Sequence, residues 1–450
     1  MKRLRILGTG GGRTSARTLF VPSMTWAIIA LAQPAHAELG PMFSSTITVD
    51  PEYATGVDGV TDIAFAADGR AVITRKSGQV VIRRTNGTLA TLSNLFPGID
   101  TSPEKGLLGV VADPNVATNN TFYFYVSNGS DQNDKHRVVK GVLTAQDTIT
   151  IDPMPVIAAS RNNGPGLAGP ANHNGGGLVI HKGQLYVGVG DTGANATPPV
   201  NKFGSCLNKP NGKILRVNLD GSVPDDNPLV GKSSVTACEK TTGSFTTGAP
   251  DTRIFAWGFR NPWRIWVDPM TDLLWVGDVG EQTSEEISVG KGGQHYGFPF
   301  VEGSMTYKDV GGLNCTTMTP AMPCTPPAYA YPWNEGGGKG SVTGGLIPSG
   351  CGWEKAMGGT RYLFGDYVKN WIHSITVNAA RDGVTGTPVP FDTHKSSAGP
   401  VSFRMGPDEA LYIAYYEADS VYRYTPTDRT GCSMGGSGGA GGGGAGGSGG

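Results

Sequence analysis

The chain has 450 residues, with 36 lysines and arginines against 37 aspartates and glutamates, for a formal net charge of −1. With the basic first 37 residues set aside, 31 basic and 37 acidic residues remain, a net of −6, and no basic patch points to a nucleic-acid partner. The 69 glycines and 31 prolines interrupt the chain throughout, and no segment keeps a 3.6-residue apolar period over three turns.

Residues 1–37 carry Lys2, Arg3, Arg5, Arg13 and Arg17, then the apolar run 19-LFVPSMTWAIIALA-32 and an Ala35-His36-Ala37 site. This pattern predicts a secretory signal peptide cut after Ala37, and hence a secreted, periplasmic or cell-envelope protein. The run is too short, and interrupted by Pro22, for a membrane span. Six cysteines follow: Cys206, Cys238, Cys315, Cys324, Cys351 and Cys432. An even count in an exported chain favours disulfides, and proximity suggests Cys206–Cys238 and Cys315–Cys324. The end, 435-GGSGGAGGGGAGGSGG-450, has no side chains to bury, so residues 431–450 read as a disordered tail or cell-surface tether. The folded body is expected over residues 40–430.

Within that body one unit recurs: an apolar strand, a tight turn with Asp, Asn, Pro or Gly, and a second apolar strand. In chain order it appears at 61-TDIAFAADGRAVITR-75, 106-GLLGVVADPNVATNNTFYFYVS-127, 175-GGGLVIHKGQLYVGVG-190 and 262-PWRIWVDPMTDLLWVGDVG-280. Two more copies fall at 344-GGLIPSG-350 with 361-RYLFGDYVKNWIHSI-375, and at 401-VSFRMGPDEALYIAYYEADSVYRYT-425. Several copies continue into a third strand, as at 78-GQVVIRR-84 and 212-GKILRVNLDG-221. Six copies of three or four short antiparallel strands predict an all-β, six-bladed β-propeller with four-stranded blades. A β-sandwich is the alternative, but it has no need of six similar hairpins. Propeller ligands sit on loops near the central channel.

Two motifs fail on context. Gly188-x-Gly190-x-x-Gly193 is followed by 194-ANATPP-199, which cannot begin the helix a dinucleotide site needs. The string 431-GCSMG-435 lies at the edge of the glycine tail, without the strand–turn–helix of a nucleophile elbow. Three other segments carry chemistry. His173, in 172-NHNGGG-177, pairs a proton acceptor with three glycines that would leave room for a flat ligand. Arg260-Asn261 lies in a turn between apolar runs and offers a fixed cation and amide for a polarised oxygen. Asp278, Glu281, Glu285 and Glu286 surround glycines and offer oxygen ligands for Ca2+. Each has a plain reading as surface turn, core-flanking arginine or solvated acidic loop.

Six blocks in order raise the functional readings: 104-EKGLLGVVADP-114, 173-HNGGGLVI-180, 186-YVGVGD-191, 212-GKILRVNLDGSVPDDNP-228, 256-AWGFRNPWRIWVDP-269 and 277-GDVGEQTSEEI-287. With them the chain resembles the soluble quinoprotein glucose and aldose sugar dehydrogenases, the glucose/sorbosone dehydrogenase family. The resemblance implies a six-bladed propeller that uses pyrroloquinoline quinone (PQQ) and Ca2+ to oxidise the C1 hydroxyl of a sugar to the lactone. It implies His173 as general base, Asp191 as its orienting partner and Arg260 as the cation beside the quinone oxygen. Asn261 would adjoin the cofactor, and Gly280 and Glu281 would hold its calcium, with Glu286 and Tyr296 as further metal candidates. Glu104, Asn172 and Asp191 would lie near the sugar. An Arg-x-Arg pair is expected before the last blade's strand, but Gly399 and Val401 stand there. Lys369 and Arg404 are the nearest cations and so the remaining candidates for the cofactor carboxylates. The implied partners are a sugar and an electron acceptor such as a quinone or cytochrome. The rival reading is a non-catalytic propeller that binds a saccharide or protein, and a weaker one is a calcium-dependent lactone hydrolase.

Overall fold

The computed structural model describes residues 38–127, 136–158, 172–191, 193, 200–239, 244–306, 314–393 and 399–430. The expected signal peptide, the glycine tail and Cys432 lie outside them. Six antiparallel blades built on four strands follow one another along the chain, the second carrying an extra short strand, Ile149–Ile151, beside its outer edge. Their first strands are Val60–Phe65, Leu107–Ala112, Leu178–His181, Pro262–Val267, Val342–Leu346 and Pro400–Met405. Each touches the first strand of the next blade, and the last touches the first, so these six strands line the central channel. This is the expected propeller. Among the described residues helix is confined to the short segments Val116–Asn119 and Trp353–Met357 and a 3-10 turn at Val200–Ser205, and none is long and apolar enough to cross a membrane.

The ring closes through a strand the repeat pattern does not reveal. Ile47–Thr55 pairs antiparallel with Ser420–Pro426, Ile47 opposite Pro426 and Thr55 opposite Ser420, and so supplies the outer strand of the sixth blade. Apolar faces fill the spaces between blades. Tyr125, Leu178, Leu185 and Trp257 belong to one such cluster, and Trp275 of blade 4 stacks on Tyr362 of blade 5 at 4.5 Å. Burial of side chains this large contributes about 1.5–3 kcal/mol each. Both expected disulfides form, Cys206–Cys238 and Cys315–Cys324, with Cα separations of 5.5 and 5.3 Å. Cys351 is disulfide-bonded as well.

One irregularity repeats around the ring. In five blades the pairing of the first strand with the second slips by one residue near its start: between Val60 and Asp62, Leu107 and Gly109, Pro262 and Arg264, Val342 and Gly344, and Pro400 and Ser402. A bulge re-aims the extra side chain. The residues skipped are Thr61, Leu108, Trp263, Thr343 and Val401.

Candidate active site

All five skipped residues line one cavity of about 450 Å3 at the end of the channel where the first strands begin. Trp263 is the largest of them. Its indole Nε1 donates to the Val401 carbonyl at 3.1 Å, which ties this cavity-lining ring from blade 4 to blade 6. The Arg264 guanidinium lies 4.5 Å from the centre of the indole ring. It donates to the carbonyls of Val401 (2.8 Å), Thr61 (2.8 Å) and Leu108 (3.0 Å). Burial pushes its pKa down to about 10, against the pull of Asp62. Arg404 pairs with buried Asp62 at 2.6 Å. Arg264 and Arg404 both line a second cavity of about 410 Å3, where the far ends of the same strands contribute Phe65, Ala112, Trp266 and Met405.

Blade 3 has no such bulge and presents His173 instead, from the loop that precedes its first strand. His173 holds a left-handed φ of 56°. Its backbone N–H donates to Glu104 Oε2 at 2.7 Å, and its ring Nδ1 lies 2.8 Å from Asp191 Oδ1. Asp191 is buried and also accepts the Gly193 N–H at 2.7 Å. Burial alone would raise its pKa, but the charges of His173 and Arg260 and these hydrogen bonds outweigh it, leaving the carboxyl below its ordinary value. An ionised Asp191 only accepts, so the proton sits on Nδ1 and Nε2 is left to take one. The glycines beside His173 do a different job from the one expected. A Cβ on Gly175 would lie 2.4 Å from the Gly188 carbonyl, on Gly176 2.6 Å from Leu108 Cβ, and on Gly177 2.9 Å from the Trp263 carbonyl. The protein's own strands fill that space, so these glycines let blades 2, 3 and 4 approach one another.

Arg260 and Asn261 are fixed from behind. Their backbone N–H groups donate to the buried carboxylate of Asp278 at 2.7–3.1 Å. Burial raises Asp278 to about 7, despite those bonds and the Arg260 charge. Asn261 Oδ1 accepts the Gly175 N–H at 3.0 Å, which braces the His173 loop. Arg260 Nη1 donates to the Val279 carbonyl at 3.0 Å, whereas its Nε is buried with no hydrogen-bond partner. The adjoining loop wraps Glu302, whose Oε1 accepts the N–H groups of Glu281 (2.6 Å), Gln282 (3.2 Å), Thr283 (3.3 Å) and Ser284 (3.3 Å). A trans peptide points its C=O opposite its N–H. The carbonyls of Gly280 and Glu281 therefore face away from Glu302, and both residues line the cavity.

Glu104, His173, Arg260, Asn261, Gly280 and Glu281 thus meet at one cavity, with Asp191 directly behind His173. Five other candidates do not line it. Lys369 turns its ammonium to the carbonyls of Glu335 and Gly338. Arg404 sits at the opposite mouth because Asp62 holds it there. Glu286 is buried and accepts the Gly303 N–H. Tyr296 stacks on Phe259, and its hydroxyl donates to Gln294. Asn172 is half-buried beside Gly193, its Oδ1 without a partner. Among the described residues the one close group of metal-ligand side chains is His295, Cys315 and Cys324, and its cysteines are spent in a disulfide. Lys76, Trp263, Trp333, Lys339, Tyr367 and Tyr416 line the cavity without having been singled out. Their signal was position alone, since each lies at a strand end or in an interblade turn.

Residues 58–347 match the glucose/sorbosone dehydrogenase family, and the chain belongs to it. It is 26% identical over 247 residues to the aldose sugar dehydrogenase YliI of Escherichia coli, which spans 54% of this chain and 60% of that protein. It is 29% identical over 265 residues to quinoprotein glucose dehydrogenase B of Acinetobacter calcoaceticus, covering 53% and 48%. The chain therefore spans about half the length of these curated relatives. The apo crystal structure of the E. coli soluble aldose sugar dehydrogenase has the same fold, with a TM-score of 0.64 at 22% identity over 85% of this chain and all of that one.

Proposed function

We propose that the protein is an exported, PQQ- and Ca2+-dependent sugar dehydrogenase that oxidises the C1 hydroxyl of an aldose to the lactone. The observation that carries this reading is the His173–Asp191 pair facing the same cavity as Arg260, whose Nε is buried and unpartnered. Family membership and the names of the relatives support the reaction class.

The residues present fit the cofactor at its reacting edge. Arg260 and Asn261 line the cavity, with the Arg260 guanidinium placed to meet a polarised oxygen, and the outward carbonyls of Gly280 and Glu281 suit a hard cation such as Ca2+. Bound PQQ would supply a two-electron, hydride-accepting quinone, with Ca2+ as its Lewis acid. The chain's own groups do the rest. His173 Nε2 takes the C1 hydroxyl proton while Asp191 holds Nδ1–H and stabilises the imidazolium that forms. Arg260 offers an N–H donor and a positive charge where negative charge develops, in a partly buried site where both count for more than in water. Glu104 fixes the His173 backbone, and Trp263 walls the site.

The physiological acceptor in this reading is a quinone or cytochrome, reached in the cell envelope, with the glycine tail as tether. The test is dye reduction by the purified protein with PQQ, Ca2+ and a panel of aldoses, using His173→Ala as the control. Turnover that requires PQQ and is lost in the variant is expected. If no PQQ-dependent turnover occurs with any aldose, the reading is wrong and a non-catalytic saccharide- or protein-binding propeller takes its place.

A further inference from the structure

Three cationic side chains line the cavity: Lys76, Arg260 and Lys339. Two are engaged. Lys76 donates to the Thr101 carbonyl and faces Asp100 and Glu104, and Arg260 belongs to the reacting edge. Lys339 is exposed and has neither a hydrogen bond nor a carboxylate partner among the described residues. Its ammonium lies 5.6 Å from the centre of the Trp333 ring.

The chain goes to some length to hold Lys339 there. It follows Gly336, Gly337 and Gly338, whose φ values of 68°, 83° and 82° few other residues adopt, and a Cβ on any of the three would meet nothing within 4 Å. This loose arc is pinned at both ends. On one side Lys369 grips the carbonyls of Glu335 and Gly338. On the other, a Cβ on buried Gly340 would lie 2.8 Å from Glu285 Cγ, and the Ser341 N–H donates to Asp366 Oδ2 at 3.0 Å. Between the pins one residue with a long cationic side chain is presented to the cavity.

The order of blades gives that cation a task. His173 and Arg260 come from blade 3 and the turn into blade 4. On the side contributed by blades 5 and 6, Lys339 is the one cation among the described lining residues. Blade 6 offers Val401, and next to it Gly399, where a Cβ would lie 2.3 Å from the Tyr367 ring, so no longer side chain fits.

We propose that Lys339, carried on the Gly336–Gly338 arc and anchored through Lys369, binds a carboxylate of the planar polycarboxylate cofactor and so helps to set affinity for it. The inference rests on the PQQ reading above. Trp263 and Trp333 line the cavity, so binding is measurable as quenching of tryptophan fluorescence by PQQ in Ca2+ buffer, without turnover. We expect Lys339→Gln to raise the Kd roughly tenfold or more, the scale of one charge-assisted contact. It should also flatten the salt dependence of binding, and Lys339→Arg should restore both. An unpaired, exposed side chain can be replaced without cost to the fold. If the unaltered protein binds PQQ and Lys339→Gln binds equally well, this inference falls while the functional reading stands. If Gln and Arg weaken binding alike, loop packing rather than charge is responsible and the inference falls. If the unaltered protein binds no PQQ, the functional reading fails first and takes this one with it.

Discussion

Asp191→Asn probes the proposed base most directly. The carboxylate receives His173 Nδ1 at 2.8 Å and the Gly193 N–H at 2.7 Å, both at Oδ1. An asparagine oxygen can keep both of these contacts. What disappears is the negative charge that stabilises His173 once it has taken a proton. A hydrogen bond to a charged group contributes about 1.5–3 kcal/mol and a neutral one about 0.5–1.5. The difference of about 1–2 kcal/mol, enlarged by the low dielectric around a buried carboxylate, corresponds to a roughly 10- to 100-fold fall in kcat. PQQ affinity and the KM for sugar should stay within about twofold, because Asp191 lies behind His173 and does not line the cavity. His173→Ala should lose more, about 10²- to 10⁴-fold. Steady-state dye reduction on the two variants, with PQQ binding measured separately, decides the matter. A loss below about threefold in kcat, or one confined to KM, would refute a proton-accepting His173 supported by Asp191.

Two further outcomes test the frame around the site. Gly176→Ala should cost roughly 2–3 kcal/mol, since φ is 117° and the new methyl would lie 2.6 Å from Leu108 Cβ across a blade interface. Gly183→Ala, at φ 76° but with nothing within 4 Å, should cost only about 1 kcal/mol, and equal melting temperatures for the two would contradict the packing argument. His295 sets an acid limit on stability. Burial, aided by the nearby Lys213 ammonium, pushes its pKa down to about 3, against roughly 6.5 in an unfolded chain. Between those values the unfolded chain takes a proton that the native state refuses. The His295 contribution is therefore complete above pH 6.5 and shrinks by up to about 1.4 kcal/mol per pH unit as pH falls toward 3. Urea unfolding at pH 7, 5 and 4 should show a shallower decline for His295→Gln, and identical slopes would dismiss the account.

The propeller was legible because each blade must bury two faces, and that need writes alternating apolar strands and turn residues into every copy. Its closure was not. Ile47–Thr55 completes a blade whose other strands lie more than 340 residues later, and a repeat search sees only neighbours. His173, Asp191, Arg260 and Asn261 were legible as family blocks. The cations at the blade 5 and 6 side were misread, for two physical reasons. Lys369 directly follows Tyr367 and Val368, which line the cavity, but two loop carbonyls hold its ammonium away from it. Arg404 is on the first strand of its blade, as expected, but past the bulge at Val401, so it points into the channel toward Asp62.

The bulges explain why site and fold are hard to separate in this chain. A regular strand would send alternate residues to the two faces of a blade, and none at its start would look along the channel axis. One extra residue near the head of five of the six first strands turns a side chain into the channel mouth and leaves the rest of the strand in register. Thr61, Leu108, Trp263, Thr343 and Val401 are those residues. Four are of modest size, and the fifth is a tryptophan tied by its indole N–H from blade 4 to blade 6. The cavity wall is thus built from the same strands that form the ring, whereas the proposed chemistry comes from loops, those before the first strands for His173 and Arg260 and those after the second strands for Asp191, Gly280 and Glu281. Substitutions at the five wall positions should change what fits, and those at His173, Asp191 or Arg260 what reacts.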